Sequence, residues 1–218
     1  MSDQSAGRPK GGVLKWSLWG VGLAGVAAVV YIIARSSDQS APDHKPETSK
    51  VVMGAPRGLK ALATGAMAKL TLSAPSTPPP DYIFYDAGGK ALKLADFKGK
   101  VVVLNLWATW CAPCVTEMPT VAKMAQAYAG KPVAVIALSI DKENDIEKAK
   151  SFISRSPPLA FYNDPTAHMP WALKPVAAGV PITVIYGKDG SEKARLSGGA
   201  DWSGAEAKAV VDAVLAEG

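Results

Sequence analysis

The sequence predicts an α/β domain with a central mixed sheet flanked by helices. Two β-branched apolar runs, 100–106 and 133–140, have the composition of buried central strands. A segment with helical spacing of apolar residues follows each run, at 112–128 and 145–154. A hairpin signal, Lys188-Asp189-Gly190, comes later in the chain. This alternation favours helices on both faces of the sheet.

The remaining predicted elements complete the domain at its two ends. They are strands at 82–85, 182–186 and 193–196, and a closing helix at 203–216. Ser203 is the expected N-cap of that helix. Four prolines between Ser73 and Asp81 exclude a helix interior there. We therefore expect the folded domain to cover 80–218.

An apolar segment at 16–34 carries no charged residue. As a helix its 19 residues rise about 28 Å, close to the thickness of a hydrocarbon core. The basic residues before it predict a cytoplasmic N-terminus at 1–15 and an external location for the rest. A cleaved signal peptide is the alternative, although its apolar region is usually shorter, and Ala34-Arg35-Ser36 is a poor cleavage site. Residues 35–79 are predicted to be a tether with a possible short helix.

The basic charge does not indicate a nucleic-acid partner. The chain carries a net charge of +5, of which +3 lies in residues 1–35 beside the apolar segment. The remainder has 20 basic and 18 acidic residues and no dense basic run. Asp141 and the acidic residues after it are expected to be solvated charges near a helix start.

The chain has two cysteines, Cys111 and Cys114, at a predicted strand-to-helix turn. Unpaired N–H groups at a helix start favour a thiolate on the first cysteine, and the second follows one turn later. Pro113 suits the first turn because it has no N–H to lose. Structural zinc needs about four ligands, whereas the only histidines are His44 and His168. We expect no metal and no cofactor, with Cu(I) carriage on the two thiols as an alternative.

Three segments together resemble the TlpA-like thioredoxins. Residues 104–119, with the sequence LNLWATWCAPCVTEMP, are similar to the active-site segment of that family. Residues 94–100 (LADFKGK) resemble its lead-in to the active-site strand, and 179–185 (GVPITVI) resemble its cis-proline strand. The family consists of tethered extracytoplasmic thiol–disulfide proteins related to the reductases of cytochrome c maturation. The resemblance implies a thioredoxin fold over about 80–217.

The resemblance also implies roles for particular residues. Cys111 is the expected nucleophile and Cys114 the resolving cysteine. The expected substrate-binding residues are Trp110, Pro113, Val180 and Pro181, with Pro181 in the cis form. Glu117 follows Cys114 by three residues and is the expected proton acceptor; the alternative is a solvated helix carboxylate. Ordinary thioredoxin has a buried aspartate where this chain has Asn105, which cannot accept a proton.

The direction of exchange is predicted from the residues between the cysteines. Ala-Pro provides no histidine to stabilise the Cys111 thiolate, which favours a reductant over a strong oxidant. The resemblance then implies a monomer in the bacterial inner membrane, single-pass, with a periplasmic catalytic domain. Its partners are expected to be protein disulfide clients and a membrane thiol electron donor. A periplasmic disulfide oxidase or isomerase is the alternative within the same chemistry.

Overall fold

A computed structural model describes residues 58–217. Within this range one mixed sheet has the strand order β1-β8-β7-β4-β5-β6-β2-β3. The strands are β1 (Leu70–Thr77), β2 (Phe84–Asp86), β3 (Ala91–Leu92), β4 (Val101–Trp107), β5 (Val133–Ser139), β6 (Tyr162–Asn163), β7 (Ile182–Tyr186) and β8 (Glu192–Ser197). The α-helices are α1 (Ala112–Ala127), α2 (Ile146–Ile153), α3 (Met169–Ala172) and α4 (Ala205–Ala216). Short 3-10 turns lie at Leu59–Leu62, Gly65–Met67, Leu94–Phe97 and Glu143–Asp145.

The central strand β4 is buried along its whole length, as its apolar sequence predicts. Because side chains alternate along a strand, its residues divide between two apolar clusters. Val101, Val103 and Trp107 belong to a cluster with residues of α1, α2 and α4. Leu104 and its alternating neighbours belong to a second cluster with residues of α3 and the 94–97 turn. The predicted layered α/β fold is confirmed, with the long helices contributing to one cluster.

The strand directions determine which end of the sheet lies next to the start of α1. Strand β4 runs parallel to β5 and antiparallel to β7, with Leu106 opposite Ile182. The carboxyl end of β4 therefore lies beside the start of β7, and the end of β5 lies on its other side. The segment 108–111 leaves β4 at this end of the sheet and leads directly into α1.

The folded unit begins earlier than the predicted boundary near Pro80. Strand β1 pairs with β8, Leu70 opposite Leu196, although Pro75 lies within it. The sequence excluded a helix here, but a proline is tolerated in a strand at the sheet edge, where one side needs no partner. The register shifts between Leu72 and Thr77, which includes this proline.

Two helix expectations are also corrected. The possible short helix before β1 consists of two separate 3-10 turns, and Leu70 already belongs to a strand. The closing helix α4 has Gly204, not Ser203, at its N-cap. The Ser203 hydroxyl instead donates to Asp201 at 2.7 Å, in a tight local turn. A nearby carboxylate thus competes for the hydroxyl that was expected to cap the helix.

The predicted cytoplasmic segment 1–15 and the predicted anchor 16–34 lie outside the described residues, as does most of the predicted tether. Within 58–217 no helix combines the length and the apolar character that crossing a bilayer requires.

Candidate active site

Cys111 and Cys114 form a disulfide at the start of α1, with their Cα atoms 5.3 Å apart. Cys111 is the N-cap residue of the helix, and the N–H of Cys114 donates to its Sγ at 3.3 Å. Cys111 is 5% exposed, whereas Cys114 is fully buried. A sulfur at this position is stabilised as an anion by the helix N-terminus. Of the two sulfurs, therefore, only that of Cys111 belongs to a residue with any exposure to solvent.

The segment before β7 lies against the first cysteine. The Val180–Pro181 peptide bond is cis, as the resemblance implied. The carbonyl oxygen of Val180 is 3.6 Å from the Sγ of Cys111. The N–H of Gly198 donates to the Pro181 carbonyl at 2.8 Å, and its φ of +91° suits a glycine. Strand pairing and this turn together hold Val180 beside the disulfide.

Two of the predicted contact residues are exposed around the disulfide. Trp110 is 64% exposed and directly precedes Cys111. Pro113 lies in the first turn of α1, between the two cysteines, and is also exposed. Trp107 is instead a core residue, fully buried and packed on Phe152 with ring centroids 5.2 Å apart. The surface next to Cys111 therefore has apolar side chains available for a partner.

Glu117 lies on the buried side of α1, one turn after Cys114, and is only 4% exposed. Its Oε1 accepts a hydrogen bond from Asn105 Nδ2 at 2.8 Å, and its Oε2 accepts one from the N–H of Ala200 at 3.0 Å. Among the described residues no lysine or arginine forms an ion pair with it. The position excludes the alternative of a solvated helix carboxylate.

Burial raises the pKa of Glu117 above its ordinary value of 4.5. The hydrogen bonds from Asn105 and Ala200 partly oppose this effect because they favour the charged form. The indole of Trp202 also lowers the pKa, although its Nε1 makes no hydrogen bond of normal geometry. Desolvation is the largest of these effects, so the carboxyl group takes up a proton more readily than an exposed glutamate.

Asn105 connects Glu117 to the cis-proline strand. It is fully buried in β4, directly opposite Thr183 of β7. Its Nδ2 donates to Thr183 Oγ1 at 3.0 Å as well as to Glu117. Its Oδ1 is buried and has no hydrogen-bond partner among the described residues. The amide therefore contributes its donors to Glu117 and Thr183 and leaves its acceptor unused.

Asp141 was expected to be a solvated charge, and this expectation is wrong. It is fully buried and accepts hydrogen bonds from the Thr109 N–H at 3.0 and 3.1 Å and from the Thr109 hydroxyl at 2.7 Å. Ser139 Oγ donates to it at 2.8 Å, and Asn163 Nδ2 donates to its carbonyl at 3.0 Å. Asp141 thus holds the segment before Trp110. The signal that could have identified it is its position just after a buried strand at the active-site edge.

Cu(I) carriage on the two thiols was the metal-binding alternative for this site. Within 58–217 no group of three or more histidine, cysteine, aspartate or glutamate side chains is arranged to hold a metal ion. His168 precedes α3, at the end of the turn that follows β6.

The mixed sheet, the dithiol at the start of a helix and the adjacent cis proline define a thioredoxin-like protein with a redox-active disulfide. The chain belongs to the Redoxin family, whose profile matches residues 73–213.

Bacterial relatives with this disulfide chemistry are similar to parts of the chain. It is 45% identical over 76 residues to the thiol-disulfide oxidoreductase ResA of Bacillus thuringiensis subsp. konkukian. That match covers 35% of this chain and 43% of the relative, so the chain spans less than half of that protein. It is 27% identical over 129 residues to ResA of Geobacillus thermodenitrificans, covering 59% of this chain and 72% of the relative.

Solved structures of similar fold match about two thirds of the chain. A thiol:disulfide interchange protein described as DsbE from Chlorobium tepidum is 26% identical with a TM-score of 0.56, covering 66% of this chain and 99% of that one. A thiol-disulfide oxidoreductase from Bacteroides vulgatus is 26% identical with a TM-score of 0.54, covering 65% and 97%.

Proposed function

We propose that this protein is a membrane-anchored extracytoplasmic thiol:disulfide oxidoreductase that reduces disulfides in client proteins. The observation that carries the proposal is the asymmetry of the dithiol, in which Cys111 keeps a small exposed area and Cys114 is fully buried. An attacking sulfur must reach a partner, whereas a resolving sulfur must reach only the mixed disulfide. The names of the ResA and DsbE relatives agree with this chemistry.

In the reduced protein the Cys111 thiolate attacks one sulfur of a client disulfide. A bond forms between Cys111 Sγ and that sulfur, the client disulfide breaks, and the second client sulfur leaves as a thiolate. The thiolate takes a proton from water. The Val180 carbonyl and the exposed Trp110 lie where the client backbone and an apolar client side chain have to dock.

Cys114 then resolves the mixed disulfide. Its thiol gives its proton to Glu117, and the thiolate attacks Cys111 Sγ. The bond from Cys111 to the client breaks, and the released client thiolate takes up a proton. Two electrons have passed from the protein dithiol to the client, and Glu117 returns its proton to solvent.

The reducing direction rests on the Ala-Pro pair between the cysteines, which provides no side chain to stabilise the Cys111 thiolate. Equilibration with glutathione, followed by thiol trapping, measures the potential. A value near that of thioredoxin, about −270 mV, supports reduction, whereas a value near about −120 mV reverses the direction to oxidation.

The test of activity is insulin reduction, with Cys111→Ser and Cys114→Ser as matched variants. Cys111→Ser should abolish turnover because no mixed disulfide can form. Cys114→Ala in membranes should retain the mixed disulfide on Cys111, so that clients are recovered covalently attached. Cytochrome c precursors or copper-protein thiols among them support a role in the assembly of those centres. Wild-type protein without insulin reduction contradicts the proposal.

The location is part of the same proposal, and it rests on the apolar segment 16–34 and the basic residues before it. We propose a single-pass inner-membrane protein with residues 1–15 in the cytoplasm and a monomeric periplasmic domain. Electrons must then arrive from a membrane thiol donor. Protease added to spheroplasts should cleave the catalytic domain; complete protection contradicts this topology.

A further inference from the structure

The surroundings of Glu117 contain two buried polar atoms without partners. Asn105 Oδ1 is an acceptor with no donor, and Trp202 Nε1 is a donor with no acceptor among the described residues. A buried polar group left unpaired costs about 1–3 kcal/mol, so such groups call for an explanation. Both belong to residues that act on the same carboxyl group.

The present hydrogen bonds suit only the charged carboxylate. Both oxygens of Glu117 accept from N–H groups, Asn105 Nδ2 at 2.8 Å and the N–H of Ala200 at 3.0 Å. A protonated carboxyl group has an O–H to donate and needs an acceptor. With Asn105 Nδ2 facing Oε1, a proton on that oxygen meets an amide hydrogen instead of an acceptor. The unused acceptor is at the other end of the same amide.

We propose that the side-chain amide of Asn105 reverses by a half-turn when Glu117 takes up a proton, so that Oδ1 accepts the carboxyl O–H. Thr183 makes this exchange possible because its hydroxyl both donates and accepts. It accepts from Nδ2 at 3.0 Å in the present orientation and donates to Oδ1 in the reversed one. The amide thus keeps its contacts with Glu117 and Thr183 in either orientation, while its other end, Oδ1 now and Nδ2 after the reversal, has no partner among the described residues.

The reversal makes Asn105 a positioning residue that acts through Glu117, and it rests on the proposed function of Glu117 as the proton acceptor. A carboxyl group that must hold a proton while Cys114 attacks needs a bonded neutral state as well as a bonded charged state. Asn105 provides both without a charge of its own. An aspartate here would instead compete with Glu117 for the proton.

The direct test is an NMR titration of the oxidised, isotope-labelled protein, following the Glu117 carboxyl carbon and the Asn105 side-chain NH2 group. Both signals should move with one midpoint, and nuclear Overhauser contacts of the NH2 protons should change over the same range. A Glu117 signal that titrates while the Asn105 contacts stay constant overturns the proposal, as does a Glu117 that never titrates. Thr183→Val should uncouple the two signals, while Thr183→Ser should leave them coupled.

A double-mutant cycle tests the effect on exchange. Asn105→Leu should slow insulin reduction by roughly tenfold, less than removal of an acid–base group itself. In a Glu117→Gln background, Asn105→Leu should slow insulin reduction by less than about twofold, because Asn105 acts through the missing carboxyl group. If Asn105→Leu slows insulin reduction equally in the wild type and in Glu117→Gln, the proposal is overturned. Unfolding midpoints show that the variants are folded. Lack of exchange in the wild type would contradict the proposed function, while the NMR result stands independently.

Discussion

Glu117 and Glu192 are two buried glutamates in opposite electrostatic surroundings. They are 4% and 3% exposed, so neither is solvated. Arg195 binds Glu192 through Nε and Nη2, each at 2.7 Å, and the Ser73 hydroxyl adds a further hydrogen bond. Among the described residues Glu117 has neutral donors, Asn105 and Ala200, and no cation. One carboxylate is fixed by a cation and the other is not.

The difference separates a structural carboxylate from a chemical one. Arg195 also donates to the carbonyls of Pro175 at 2.6 Å and Lys174 at 2.9 Å, so its ion pair ties β8 to the segment that leads to Pro181. A cation stabilises the charged carboxylate and opposes proton uptake. A buried carboxylate without one is suited to exchange a proton.

The largest expected effect comes from Arg195→Met. It leaves Glu192 buried without its cation, and we expect a loss of about 3–5 kcal/mol in the free energy of unfolding. Denaturant titration measures this loss. The double variant Glu192→Leu with Arg195→Met should recover a large part of it, because no unpaired charge remains. If Arg195→Met loses less than about 1 kcal/mol in the free energy of unfolding, the Arg195–Glu192 pair contributes no more than a surface ion pair.

Glu117→Gln should instead lower the rate of disulfide exchange without lowering the stability. We expect insulin reduction at neutral pH to slow by about a hundredfold or more, because Cys114 loses its proton acceptor. The free energy of unfolding should stay the same or rise, because a buried charge is removed. Glu192→Gln is the matched control and should lose stability instead. If Glu117→Gln and Glu192→Gln slow disulfide exchange equally, the two carboxylates do not differ in their chemical role.

The pH dependence of stability follows from the raised pKa of Glu117. The folded protein holds this proton above the pH at which the unfolded chain releases it, so stability falls as pH rises from the ordinary pKa of 4.5 through the folded pKa. Glu117→Gln should remove that part of the slope. The measurement is a series of denaturant titrations of both proteins across this range. Identical slopes would mean that Glu117 titrates alike in both states.

The smallest expected effect is on the thiol titration of the reduced protein. A negative charge on Glu117 disfavours a second negative charge on Cys111, so it raises the pKa of that thiol. Glu117→Gln should therefore lower the Cys111 pKa, which thiolate absorbance or the rate of alkylation against pH would report. An unchanged titration contradicts the coupling.

Much of this arrangement could be predicted from local sequence. The apolar runs predict β4, β5 and β7, and the dithiol at a strand-to-helix turn predicts the start of α1. Strand β1 was missed because its proline is acceptable only at a sheet edge, which depends on which strands pair. The burial of Asp141 and the Asn105 to Glu117 bond were also missed, since they join residues of different elements. Polar side chains have no sequence periodicity that indicates their partners.

The ends of the sheet have a consequence for how the protein survives at high concentration. At one end the irregular β1 carries Pro75, and at the other β3 has only two residues. Neither outer strand offers a long row of free amide and carbonyl groups with which a strand of another chain could pair. The proposed function brings the protein into contact with partly unfolded chains, whose strands are exposed. Edges of this kind would protect it from co-aggregating with the client proteins of that proposed function.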